Sequence, residues 1–113
     1  MRHRSLGISV RGMGTLVYDS VVPPIEIEDR ALAHLKVVVI AKLRRGESFA
    51  VSWAHPPGKE GGRSTIWLHP GIPLRFIFEE TEQPELNQRW LATMAESANA
   101  LGGITLTAEE VEG

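Results

Sequence analysis

The chain has 113 residues, carries 12 Lys and Arg against 14 Asp and Glu, and contains no cysteine. That length suffices for one domain with a single core, and the missing thiols exclude disulfide frameworks, thiolate nucleophiles and thiolate zinc sites. No apolar run approaches the roughly 20 residues that span a bilayer, and the basic N-terminus lacks the apolar stretch of a secretory signal, so the expected location is the cytoplasm, without a membrane partner.

Residues 1–12 read as a basic arm, because Arg2, Arg4 and Arg11 with Gly7 and Gly12 leave little to bury, and disorder is expected there. A single domain is expected over residues 13–108, followed by an acidic tail over 109–113. Residues 15–18 predict a first strand and Asp19-Ser20 its turn. After Pro23-Pro24, the alternating Ile25-Glu26-Ile27-Glu28 predicts a second short strand.

A helix follows over residues 29–45, with Asp29 as N-cap, Arg44 and Arg45 in the last turn, and Gly46 as the left-handed stop. At about 100° per residue, Leu32, Leu35, Val39 and Leu43 form its apolar seam, widened by Val38 and Ile40. Val37, Arg30, His34, Ala41 and Arg45 fall on the far face with Arg44 beside it, while Lys36 and Lys42 lie in or beside the apolar arc, their stems able to snorkel. An apolar arc this wide predicts burial on more than one side.

Three strands are predicted next, over 48–53, 63–68 and 72–78. Phe49, Val51 and Trp53 form one inward row, and Leu74, Phe76 and Phe78 another. The register of 63–68 is open, since a one-residue slip exchanges its faces. With Ile66 and Leu68 inward, Trp67, Thr65 and His69 share the open face with Ala50, Ser52 and Arg75, and Trp67 stands beside Ile77. A second helix is predicted to start within residues 81–85, where Pro84 and acids suit a first turn. Leu86, Trp90, Met94, Ala98 and Leu101 form its apolar face, and Gly102-Gly103 its stop. Residues 104–107 are a final strand. The order β-β-α-β-β-β-α-β predicts an α+β domain, a mostly antiparallel sheet with two helices on one face.

Chemistry-bearing patterns are sparse. Trp-x-His-Pro occurs at Trp53-Ala54-His55-Pro56 and again at Trp67-Leu68-His69-Pro70. Two imidazoles can serve a metal or acid–base site, but no carboxylate or third histidine stands at ligand spacing, and two similar strand exits explain the repeat. No metal, cofactor or catalytic residue is assigned. Lys59 and Arg63 flank a Gly-rich loop able to hold a phosphate, and Arg30, Arg44 and Arg45 with His34 form a basic stripe able to track a nucleic-acid backbone. Up to Phe78 there are eleven Lys and Arg against six acids, and from Glu79 onward one Arg against eight glutamates. The halves thus complement one another, or the basic half faces a polyanion. An outward Trp67 with His69, Arg75 and the far-side Val37 marks an interface, and homodimerisation also accounts for the wide apolar arc of the first helix.

From Met13 to about Thr107 the chain resembles a family of small uncharacterised actinobacterial proteins often labelled "ATP-dependent DNA ligase". The strings that carry the resemblance are Met13-Gly-Thr-Leu-Val-Tyr18, Asp29-Arg-Ala-Leu-Ala-His34, Lys42-Leu-Arg-Arg-Gly-Glu-Ser-Phe49, Gly62-Arg-Ser64, Ile66-Trp-Leu-His-Pro70 and Ile72-Pro-Leu-Arg75. The label implies nucleotidyl transfer on a Lys-x-Asp-Gly-x-Arg motif. Lys59-Glu-Gly-Gly-Arg63 has Gly61 in place of the Asp and its Arg one position early, so no ligase residue carries over. The expected function is a non-catalytic, self-associating interaction or regulatory module, with nucleic-acid or nucleotide-phosphate binding as the first alternative and, as the family label implies, ligase-type nucleotidyl transfer centred on Lys59 as the last.

Overall fold

A computed structural model describes residues 12–55, 58 and 61–107; most of the basic arm, the acidic tail and Lys59 therefore lie outside the described residues. The observed elements are β1 (Met13–Tyr18), β2 (Ile25–Glu28), α1 (Asp29–Arg44), β3 (Phe49–Ala54), β4 (Arg63–Leu68), β5 (Leu74–Ile77), α2 (Gln88–Ala98) and β6 (Ile104–Thr105). The α+β class and the element order follow the sequence reading.

The strands divide into two three-stranded sheets instead of one, ordered β2-β1-β5 and β4-β3-β6. Only β3 and β6 run parallel, Val51 opposite Ile104 and Ser52 opposite Thr105. Helix α1 packs on β1 and β2, α2 packs on β3 and β6, and the helices pack on each other. Each sheet thus has its own helix, and the core runs from Leu16 and Ile27 through Leu32, Leu35 and Val39 to Val51, Leu68 and Ile104.

Gly14 lets α1 sit close on the first sheet. A Cβ there would lie 2.8 Å from Leu32 Cδ2 and 2.9 Å from the Ile77 carbonyl oxygen. Asp29 is not the N-cap. Glu28 fills that role, its carboxylate accepting from the Arg30 and Ala31 amides. The Asp29 carboxylate instead accepts the Glu79 and Glu80 amides, each at 3.1 Å, and ties the chain after β5 to the start of α1. Local spacing cannot anticipate a partner fifty residues away.

Burial on α1 is also turned from the expected seam. Val38 is buried, Leu43 only half-buried, and Ile40 is exposed. His34, expected on the far face, is fully buried, because α2 crosses there. Its ring lies 4.6 Å from that of Trp90. Nδ1 sits 2.8 Å from the Arg30 carbonyl oxygen, and Nε2 lies 2.8 Å from the Asn87 amide nitrogen. The amide can only donate, so Nε2 accepts and Nδ1 carries the proton. Asn87 in turn caps α2, its Oδ1 accepting from the Trp90 amide at 3.0 Å.

Helix α2 begins later than predicted because residues before it are already engaged. Arg30 donates to the Glu85 carbonyl at 2.9 Å, and His34 holds the Asn87 amide. It ends at Ala98, before the predicted glycine stop. Leu101 therefore leaves the apolar face and is entirely exposed. Gly103 has φ +77, and a Cβ there would meet the Ala50 carbonyl oxygen at 2.3 Å; only glycine lets the chain turn this closely over β3 into β6.

Candidate interaction surfaces

The open face of the second sheet follows from strand parity. β3 and β4 pair with Phe49 opposite Leu68, Ala50 opposite Trp67, Ser52 opposite Thr65 and Ala54 opposite Arg63. Phe49, Val51 and Leu68 are buried with Ile66 packed against them, so Ala50, Ser52, Ala54, Arg63, Thr65 and Trp67 face outward. Trp67 is 55% exposed. Around it the outward residues are small, and Ser52 and Thr65 close their hydroxyls on each other at 2.7 Å. A surface of small side chains with one large apolar projection results. Arg75 lies on β5, in the other sheet, paired with Val17; Ile77 neighbours it there, so neither shares the open face with Trp67. His69 is exposed and accepts from the Gly71 amide at 2.9 Å, closing the turn after β4.

Beside Trp67 the surface dips into a recess of about 540 Å³ that reaches Ala50, Leu101, Gly103, Asn99 and Lys42. Trp67 and Leu101 are its two exposed apolar walls. Lys42 forms the polar end, with its side chain 7% exposed. Its ammonium donates to Asn99 Oδ1 at 3.0 Å and lies 3.5 Å from Glu47 Oε1. Asn99 is the C-cap of α2, where a cation also meets the negative end of the helix dipole. Lys42 therefore does not snorkel outward; it ties α1 to the end of α2.

Arg45 donates to Glu47 Oε2 at 3.2 Å. That bond, aided by the charges of Lys42 and Arg45 and opposed by slight desolvation, holds the Glu47 carboxyl below its ordinary range. A depressed folded-state value favours the fold above the unfolded carboxylate range, and the contribution fades as pH falls through the folded value. In an NMR pH titration, Glu47 is expected to have a midpoint below the ordinary glutamate range, and Arg45→Ala is expected to move it upward. Equal midpoints in the two proteins would contradict the pairing.

The proposed basic stripe is not assembled as the helical wheel implies. Arg30 is half-buried and bonded to the Glu85 carbonyl, His34 is buried, and Arg45 is paired with Glu47. Arg44 is exposed. Arg63 stands at the opposite end of the second sheet's open face from Trp67. Val37 is 37% exposed on α1, away from Trp67's recess and lining a separate one.

The two histidine motifs do not converge. His55 Nε2 lies 2.6 Å from Ser64 Oγ, a pairing that spacing alone did not reveal. The strand register brings it about: β3 and β4 keep pairing past Ala54, with the His55 amide donating to the Gly62 carbonyl at 2.9 Å. A serine beside an imidazole is one part of a nucleophilic site, which also needs an oxyanion cradle and room for a substrate. Here Gly61, at φ +78, closes over the ring so tightly that a Cβ would lie 3.1 Å from it. The bond thus serves as a tie between the strand ends. No group of three or more His, Cys, Asp or Glu able to hold a metal occurs among the described residues, nor is any described helix long and apolar enough to cross a membrane.

Residues 13–109 match a family described as a domain of unknown function (DUF7882). The chain belongs to that family. No curated protein and no solved structure matches the chain. Both sheets, both helices and the Trp67–Leu101 recess of this DUF7882 domain fall within the matched span.

Proposed function

We propose that this DUF7882 domain is a non-catalytic module that self-associates through the open face of its second sheet. Trp67 carries the reading. A tryptophan left 55% exposed, flanked by a fully exposed leucine and set among small Ala, Ser and Thr side chains, has the makeup of an interface centre. A two-fold contact between copies would let each Trp67 enter the other's recess beside Ala50 and Gly103, covering Leu101 on both sides. Trp67→Asp and Leu101→Asp are the direct tests, because neither side chain supports the monomer's core. In sedimentation velocity over a concentration series, Trp67→Asp is expected to weaken the dimer by roughly thirtyfold or more, the effect of losing about 2 kcal/mol at an interface centre. Unchanged sedimentation of both variants would refute this surface as the interface.

The same face supports a second reading. Trp67 and Arg63 lie four residues apart on one strand and so project on one side, as a stacking ring and a phosphate contact do in single-strand binding. That function requires binding that falls steeply with salt and is lost in Arg63→Ala.

A further inference from the structure

A separate recess of about 490 Å³ lies between the start of α1 and the extended segment after β5. Its walls are apolar, chiefly Val37, Phe78, Pro84 and Leu86, and its rim includes Glu80 and Glu82. The nearby cations are occupied: Lys36 Nζ stands 5.5 Å over the Phe78 ring, and Arg30 holds the Glu85 carbonyl. Residues 79–85 contain four glutamates and no basic residue. The surface therefore suits an occupant that is apolar along one side and positively charged.

The chain contains one segment of that composition, and it joins the fold at the recess itself. Residues 1–11 include Arg2, Arg4 and Arg11 and no acid, with Leu6, Ile8 and Val10 at alternate positions. In an extended chain those three share one face. Gly12 is part of the recess wall. Its amide donates to the Glu79 carboxylate, and its carbonyl accepts from the Asp29 amide. Eleven extended residues reach up to roughly 36 Å, ample for a recess that begins at their own attachment point. Tethering also makes the encounter intramolecular, so weak contacts suffice.

We propose that residues 1–11 form a strap that occupies this recess, placing Leu6, Ile8 and Val10 against Val37, Phe78 and Leu86 and its arginines against Glu80 and Glu82. Apart from Gly12, its seat lies within the family's matched span, while the strap itself lies outside it. Docking would cover a surface distinct from the Trp67 face.

Because the chain contains no cysteine, Ser5→Cys accepts a single nitroxide, and amide broadening in the full-length protein reports where the segment lies. Strong intensity loss is expected at residues 33–37 and 78–86, with the amides of β6 unaffected. Replacing Leu6, Ile8 and Val10 with serine in the labelled protein should restore most of that intensity. Identical broadening with and without the three apolar side chains would overturn the proposal, since the label would then sample only the neighbourhood of Gly12. Mixing labelled chains with isotope-labelled, label-free chains separates the remaining case. If the loss appears only between molecules, the occupant is a second copy's terminus and the intramolecular strap is wrong.

Discussion

Gly14→Ala is expected to destabilise the domain by on the order of 3 kcal/mol, lowering the melting temperature by more than about 10 °C. The new methyl would lie 2.7 Å from Asp29 Oδ1, 2.8 Å from Leu32 Cδ2 and 2.9 Å from the Ile77 carbonyl oxygen. Leu32 is fully buried and cannot rotate away into space. The Ile77 oxygen belongs to β5, which pairs with β1 opposite this region. Asp29 is no freer, because displacing its carboxylate releases the Glu79 and Glu80 amides. Three groups on two elements, α1 and β5, would have to move for one methyl group. Thermal unfolding followed by circular dichroism measures the effect, and a shift within about 3 °C would contradict so close an approach of α1.

His34→Ala should cost about 3–5 kcal/mol. The imidazole fills space against Trp90 and supplies the acceptor for a buried amide, that of Asn87. Alanine leaves both a cavity and an unpaired donor, and it loosens the residue whose side chain caps α2. His34→Gln keeps an acceptor and should recover part of the loss. His34→Leu fills the space without accepting and should recover less than glutamine if the hydrogen bond dominates. Chemical denaturation of the three variants orders these contributions. Loss of less than about 1 kcal/mol in the alanine variant would show that α2 docks without this bond.

How far the sequence could be read depends on whether each signal was local. Alternation and turn residues located the six strands and two helices, and the parity of Ile66 and Leu68 favoured Trp67 outward but left the register open until the pairing of β4 with β3 fixed it. What could not be read was set by distant partners. His34 and Lys42 look like surface or snorkelling positions on a wheel of α1, yet both are buried, because α2 covers a side of the helix that its own periodicity does not mark. The division into two sheets depends on β1 choosing β2 and β5 as neighbours, a choice that no strand's own pattern records. Leu101 fits the helical spacing of α2, but the helix has already ended at Ala98. For the candidate site, Trp67 was legible as a candidate whose face stayed open, and its recess was not legible, since Leu101 and Gly103 arrive there through the turn after α2.

The solution mass of the unmodified chain is the most direct test of self-association. Light scattering over a concentration series, at low and moderate salt, with and without a short DNA duplex, should give twice the 12.5 kDa of one chain. That mass should be insensitive to salt and unchanged by DNA. A 12.5 kDa particle at every concentration would contradict the account, and a gain in mass only with DNA at low salt would transfer the Trp67 face to the nucleic-acid reading.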